Sequence, residues 1–171
     1  MFINPKHAIQ EGWVKFPEWM SEEFQQKCIQ PNALDFTVDS VYIIGDDHFK
    51  ISEDGKTMRS QAKMETFEGN FVLSSGCYDA MSDFYVTVPE GVAAHLITRS
   101  TFNRNGLFIQ SGLYDSGFKG NCGFVIYNIG GPATIAPHTR IGQLIFTTSE
   151  DSGKLYAGGY NTEAGQHWTQ K

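Results

Sequence analysis

The sequence, 171 residues long, has no run of Lys or Arg, and its formal charge is −6. A non-specific nucleic-acid binder needs a basic patch to follow the phosphate backbone, so that class is excluded. Single basic residues aimed at a small polyphosphate stay open. No stretch of about eighteen apolar residues is present to cross a membrane. The opening Met-Phe-Ile-Asn-Pro-Lys-His lacks the layout of a signal peptide, so a soluble, cytoplasmic chain is expected. The three cysteines, Cys28, Cys77 and Cys122, are odd in number, far apart and without a Cys-x-x-Cys pair. That argues against a disulfide framework or a cysteine zinc site. The histidines are equally scattered, and the pattern His-x-Glu followed by Pro-Cys-x-x-Cys of zinc deaminases is missing.

Helix signals longer than a single turn are confined to the first thirty residues. His7 to Val14 makes a short helix that Gly12 weakens, and Pro17 ends any continuation. Ser21 followed by Glu22 and Glu23 supplies a capping hydroxyl and acids in the first turn, which predicts a helix to about Cys28. Beyond Ile29, short runs rich in Val, Ile, Phe, Tyr and Thr alternate with Gly, Asp, Asn and Ser clusters. The predicted strands are 34–44, 48–51, 70–73, 84–88, 93–98, 107–110, 124–127, 133–135 and 142–148. Many short strands at regular spacing predict an all-β sandwich, jelly roll or barrel. One domain over residues 1–155 is expected, with residues 156–171 as a flexible tail able to close over a site.

Two stretches carry candidate chemistry. Ser111-Gly-Leu-Tyr-Asp115-Ser-Gly-Phe-Lys-Gly-Asn-Cys-Gly123 places one carboxylate before a glycine-rich turn, and Phe124–Asn128 follows as a strand. This reads as a β-hairpin with an acid at its mouth, its glycines leaving main-chain groups open to a flat base. Asp-Ser-Gly is equally an ordinary turn. Arg99-Ser-Thr-Phe-Asn-Arg104-Asn-Gly106 reads as one helical turn capped by Ser100 and stopped by Gly106, a place for an anion or a solvated surface turn.

Taken together these stretches resemble the trimeric dUTP diphosphatase and dCTP deaminase superfamily. Ile29-Gln-Pro-Asn-Ala-Leu-Asp35-Phe resembles its first block, Arg99-Ser100-Thr101 with Arg104 and Gly106-Leu107 the phosphate-gripping second, and Gly112-Leu-Tyr114-Asp115-Ser-Gly-Phe118-Lys-Gly120 through Asn128 the base-reading third. Arg140-Ile-Gly-Gln143-Leu-Ile resembles the fourth. The resemblance implies a distorted jelly roll or β-clip barrel, a homotrimer with sites between subunits, and a deoxynucleoside triphosphate substrate. It also implies Mg²⁺ carried by the triphosphate, reaching Asp35 through water.

The helical N-terminus and the long interval from Asp35 to Arg99 resemble the deaminase branch. There a glutamate after the hairpin shuttles protons during attack on C4 of cytosine, but the matching position holds Val125, and no acid occurs between Asp115 and Glu150. Lys119-Gly-Asn-Cys-Gly-Phe-Val-Ile-Tyr-Asn128 follows the diphosphatase version instead. In that version Asp115 activates the water, Asp35 serves the phosphate site, and Phe118 lies under the deoxyribose. Ser111 and Gly112 depart from a small residue and a His or Arg found in many deaminases, so a modified pyrimidine stays open as the base. A diphosphatase-type fifth block, Arg-x-x-Gly-Gly-Phe-Gly, is absent; Tyr156-Ala-Gly-Gly-Tyr160 through Gln166 is nearer a deaminase tail. His167 and Trp168 stack on the nucleotide or are disordered, His95 is a core or subunit-contact residue, and Asp79 reads as a turn residue. A non-catalytic nucleotide- or protein-binding trimer is the alternative from another class.

Overall fold

The structure, a computed structural model, describes residues 1–150 and 153–170. Asn4 accepts the Lys6 N–H and Pro5 takes a first-turn position that needs no N–H, so α1 (Pro5–Gln10) begins there. It leads into a short strand, β1 (Val14–Lys15). The Ser21 hydroxyl accepts the Phe24 N–H at 3.3 Å and starts α2 (Glu22–Cys28), within the predicted bounds. Then come β2 (Leu34–Ile44), β3 (Lys50–Ser52), β4 (Gly55–Thr57), β5 (Gln61–Lys63), β6 (Phe71–Leu73), β7 (Gly76–Thr87) and β8 (Val92–Thr98). A single turn, α3 (Ser100–Asn103), precedes β9 (Leu107–Gln110), β10 (Lys119–Asn128), β11 (Ala133–Ile135) and β12 (Arg140–Thr148). No helix among the described residues is long and apolar enough to cross a membrane.

The main sheet runs β8-β12-β2-β7-β10-β9, antiparallel throughout, with β1 added to β7 and β5 to β2. Its two ends curl towards each other. Ala94 of β8 bridges Tyr114 just beyond β9, and the Thr98 hydroxyl bonds both the N–H and the C=O of Ile109. The result is the expected distorted jelly roll, a nearly closed antiparallel barrel. Its interior holds Leu34, Phe36, Phe84, Phe124, Leu144 and Phe146, all buried. Phe36 meets Phe124 edge-on at 5.2 Å and faces Gly142 across the β2–β12 ladder. A Cβ at residue 142 would run into the Phe36 ring, so glycine is required there by packing.

Differences from the sequence reading have physical causes. The strand expected only over 84–88 begins at Gly76, because β7 lies between β2 and β10 and pairs with both along its length. Asp79, read as a turn residue, lies within that strand and is buried. Arg99, not Ser100, occupies the cap position of α3, and no side chain caps it; Ser100 is the first helical residue. Gly106 does end the turn, in a left-handed conformation at φ 73°.

Candidate active site

Two groups of side chains stand out. The first surrounds Asp35, which sits on β2 directly opposite Gln143 of β12 and is only 1 % exposed. Its Oδ1 accepts from Gln143 Nε2 at 3.1 Å. Its Oδ2 receives Arg99 Nε at 3.4 Å, Arg140 Nη1 at 3.3 Å and Gln30 Nε2 at 3.5 Å. Two guanidiniums thus converge on one carboxylate, leaving one positive charge in excess at a place where both arginines stay partly exposed. Each is also aimed by a carbonyl: Arg99 Nη1 donates to Arg140 O at 2.9 Å and Arg140 Nη1 to Lys27 O at 2.7 Å. An anion with several oxygens suits such a pair.

The second group is built on the hairpin. β9 pairs with β10 only from Leu107↔Asn128 to Gln110↔Val125. Beyond Gln110 the chain swings across to β8, where the Ser111 hydroxyl accepts the Leu96 N–H at 3.1 Å and Tyr114 exchanges main-chain bonds with Ala94. The hairpin is therefore forked, and a cavity of about 570 Å³ fills the fork. Tyr114 braces it by donating from Oη to Gly123 O at 2.6 Å; burial holds this phenol well above its ordinary pKa range. Ser111, Gly112, Tyr114, Phe118 and Val125 all line the cavity, Phe118 packing between Tyr114 and Tyr156.

The tail runs along the open side of this fork. Tyr156 N–H donates to Ser116 O at 2.7 Å, Thr162 N–H to Lys119 O at 2.9 Å, and Gly165 N–H to Asn121 Oδ1 at 2.8 Å. Tyr160, Gln166, His167 and Trp168 complete the cavity wall. The His167 ring stacks on Tyr42 with centroids 3.8 Å apart and is almost wholly buried. His167 Nε2 and Trp168 Nε1 each lie 3.0 Å from Asp79 Oδ2. Asp79 is the cross-strand partner of Val125, so a carboxylate does reach the cavity, from the neighbouring strand. Asp79 Oδ1 accepts the Ala80 N–H at 3.0 Å, so both its oxygens are engaged.

The other predicted positions lie apart. Asp115 is exposed on the turn beside the cavity, not among the residues lining it, and its carboxylate has no partner among the described residues. Ser100, Thr101 and Arg104 are exposed on and just after α3. Asn128 is buried at the far end of β10, where its amide donates to the carbonyls of Leu73, Ser74 and Gly131 at 3.2, 3.1 and 2.6 Å. That geometry gives it a bracing role between strands, away from the cavity. Sequence reading missed Gln30 beside Asp35 and Asp79 beneath the tail. An acid inside an apolar strand was the one visible signal for Asp79.

A family model described as dCTP deaminase-like matches residues 6–149. The chain belongs to this family. Among curated relatives, a probable deoxyuridine 5'-triphosphate nucleotidohydrolase of Halobacterium salinarum is 28% identical over 79% of this chain and 84% of its own length. A dUMP-forming dCTP deaminase of Sulfurihydrogenibium sp. is 32% identical over 80% of this chain and 79% of its own. Among solved structures, the 2'-deoxycytidine 5'-triphosphate deaminase of Agrobacterium tumefaciens superposes with a TM-score of 0.63 at 14% identity. That match covers 85% of this chain, which spans about half (46%) of the solved one. The relatives thus include both hydrolases and deaminases of pyrimidine deoxynucleotides, which leaves the choice between the two reactions to this chain's own residues.

Proposed function

We propose that the chain hydrolyses a deoxyuridine-type triphosphate, dUTP and water giving dUMP and diphosphate. The observation carrying this reading is the make-up of the forked hairpin. Val125 faces the cavity without an ionisable group, and the one carboxylate beside it, Asp79, has both oxygens bonded to Ala80, His167 and Trp168. The Asp79 carboxylate is thus committed to holding the tail rather than standing free as a proton carrier towards a base. A free carboxylate stands instead at the hairpin mouth, at Asp115.

In this reading the fork takes the uracil, its main-chain groups pairing with N3 and the carbonyls. A base presenting an amino group there leaves buried groups unpaired, at about 1–3 kcal/mol each. Arg99 and Arg140 hold phosphate oxygens. Asp115 orients a water and takes its proton as the water oxygen bonds to the α-phosphorus and the bond to the departing diphosphate breaks. Asp35 aims the two guanidiniums. Both Asp35 oxygens are engaged by Gln143, Arg99 and Arg140, and in this reading Mg²⁺ arrives on the triphosphate. When bound, that ion neutralises charge on the phosphate oxygens. The Asp35 cluster does not line the hairpin cavity of its own protomer, which supports a homotrimer pairing the two across subunits. Outward-facing Ile97, Phe108 and Tyr127 on β8, β9 and β10 supply an apolar face for it. Residues 1–155 act as one domain with 156–171 as its lid, residue 171 lying outside the described residues, and three free thiols suit a reducing cytoplasm.

A second reading, deamination of a cytosine deoxynucleotide, is favoured by the presence of Asp79 in the cavity. A product assay with Mg²⁺ separates the two. dUMP and diphosphate from dUTP, with dCTP untouched, supports hydrolysis; an altered base from dCTP overturns it. Asp115→Asn is expected to lower turnover by about 10²–10⁴-fold, the usual span for a lost general base, with circular dichroism and oligomer mass unchanged.

A further inference from the structure

A second cluster lies away from the hairpin, where β2, β7 and the loop before β12 meet. Asp39 is the extra residue of a bulge in β2: Val38 pairs with Ser82 and Ser40 with Met81, so Asp39 has no partner in the ladder. Bulges re-aim side chains, and this one turns Asp39 towards Asp83 of β7. His138 approaches from the loop in a left-handed conformation, φ 63°, with its N–H donated to Val38 O at 2.7 Å. One ligand-type atom from each of Asp39, Asp83 and His138 lies within 4.8 Å of the others.

The buried part of this cluster is short of partners. Asp83 Oδ1 meets His138 Nδ1 at 2.7 Å and Trp19 Nε1 at 3.3 Å, but Oδ2, buried with the rest of the side chain, has no hydrogen-bond partner among the described residues. The Thr37 hydroxyl beside it, fully buried, has no hydrogen bond of good geometry among the described residues either. No Lys or Arg pairs with either carboxylate among the described residues. Two carboxylates and one imidazole, with one buried carboxylate oxygen short of a donor, form a cluster of oxygen and nitrogen ligand atoms.

We infer that Asp39, Asp83 and His138 bind one divalent transition-metal ion of the class that accepts mixed oxygen and imidazole donors. Zinc bonds to such donors are about 2.0–2.2 Å long, so the ligand atoms must draw closer together, which half-exposed Asp39 and exposed His138 are free to do. The ion is held by His138 through Nδ1 and by Asp83 through Oδ2 or Oδ1, and leaves positions for water. Its effect is mechanical. His138 lies two residues before Arg140, so pinning it to β2 and β7 fixes the loop that delivers Arg140 to Asp35. This site is separate from any ion carried by a nucleotide.

Titrating chelator-treated full-length protein with Zn²⁺, in the absence of nucleotide, tests the inference by calorimetry. One ion per chain is expected, with affinity at least tenfold weaker in both Asp39→Asn and His138→Gln, two partly exposed positions whose exchange leaves the core intact. Because the Trp19 ring lies 4.5 Å from the His138 ring, Co²⁺ bound here quenches its fluorescence, and Trp19→Phe removes that quench. No stoichiometric binding to the wild-type chain, or affinity unchanged in both variants, overturns the proposal.

Discussion

Replacing Asp79 by Asn is a stringent test of how the tail is held. The swap keeps size and shape but cannot keep the bonding. Asp79 Oδ2 accepts from His167 Nε2 and Trp168 Nε1, while Oδ1 accepts the Ala80 N–H. Whichever way an amide turns, its NH₂ faces either the Ala80 N–H or the two tail donors. The carboxylate is almost wholly buried, so solvent screens these bonds little. Two charge-assisted bonds, each about 1.5–3 kcal/mol, become one neutral set, a loss of about 3 kcal/mol. That is roughly a hundredfold in the docking equilibrium of the tail end. Amide exchange over residues 163–169 is expected to speed up by that factor. Residues 156–162 keep their own bonds to Ser116 and Lys119 and stay protected. The melting temperature changes little, because the barrel core is untouched. With the cavity end loosened, KM for the nucleotide rises while kcat moves less. Unchanged exchange over 163–169 would refute the assignment of Asp79 as the anchor.

Gly142→Ala is expected to cost about 1–3 kcal/mol in denaturant unfolding, since its methyl group meets the Phe36 ring inside the barrel; a cost below the error of the measurement contradicts that packing. Burial pushes the Cys28 thiol from 9.0 to about 11 and Cys122 to about 12, whereas Cys77 is exposed. A thiol reagent at pH 8 therefore titrates one fast thiol per native chain and three after unfolding. For a pKa raised in the folded state, the associated stability is complete below the unfolded value and disappears as pH rises through the folded one. Stability should fall from pH 9 upward, and Cys28→Ala should flatten the part of the fall that ends near pH 11.

Much of the fold was legible because its causes are local. Ser21 with two acids starts α2 where a capping hydroxyl and a helix dipole predict, and alternating segments such as Leu34–Ile44 and Leu107–Gln110 became strands with those bounds. Gly106 stops α3 because a left-handed residue is needed there. The ordered blocks around Asp35, Arg99, Asp115 and Gln143 pointed to the family through which the chain is now placed.

What the sequence by itself determined, then, is the strand-rich class, the short N-terminal helices and the kinds of chemistry available at each block. Tertiary structure alone decided which of those groups meet. Asp79 and His167 are 88 positions apart, and Asp35 and Gln143 108, so no local pattern reports either contact. Asn128, quoted with the hairpin, spends its amide on three carbonyls that only the packing of β6 and the β10–β11 turn brings near. The fork of the hairpin likewise depends on Ala94 capturing Tyr114 from across the barrel. Propensities and caps act within a few residues, whereas strand register and barrel closure are settled by the whole core, and it is register that sets Asp79 opposite Val125.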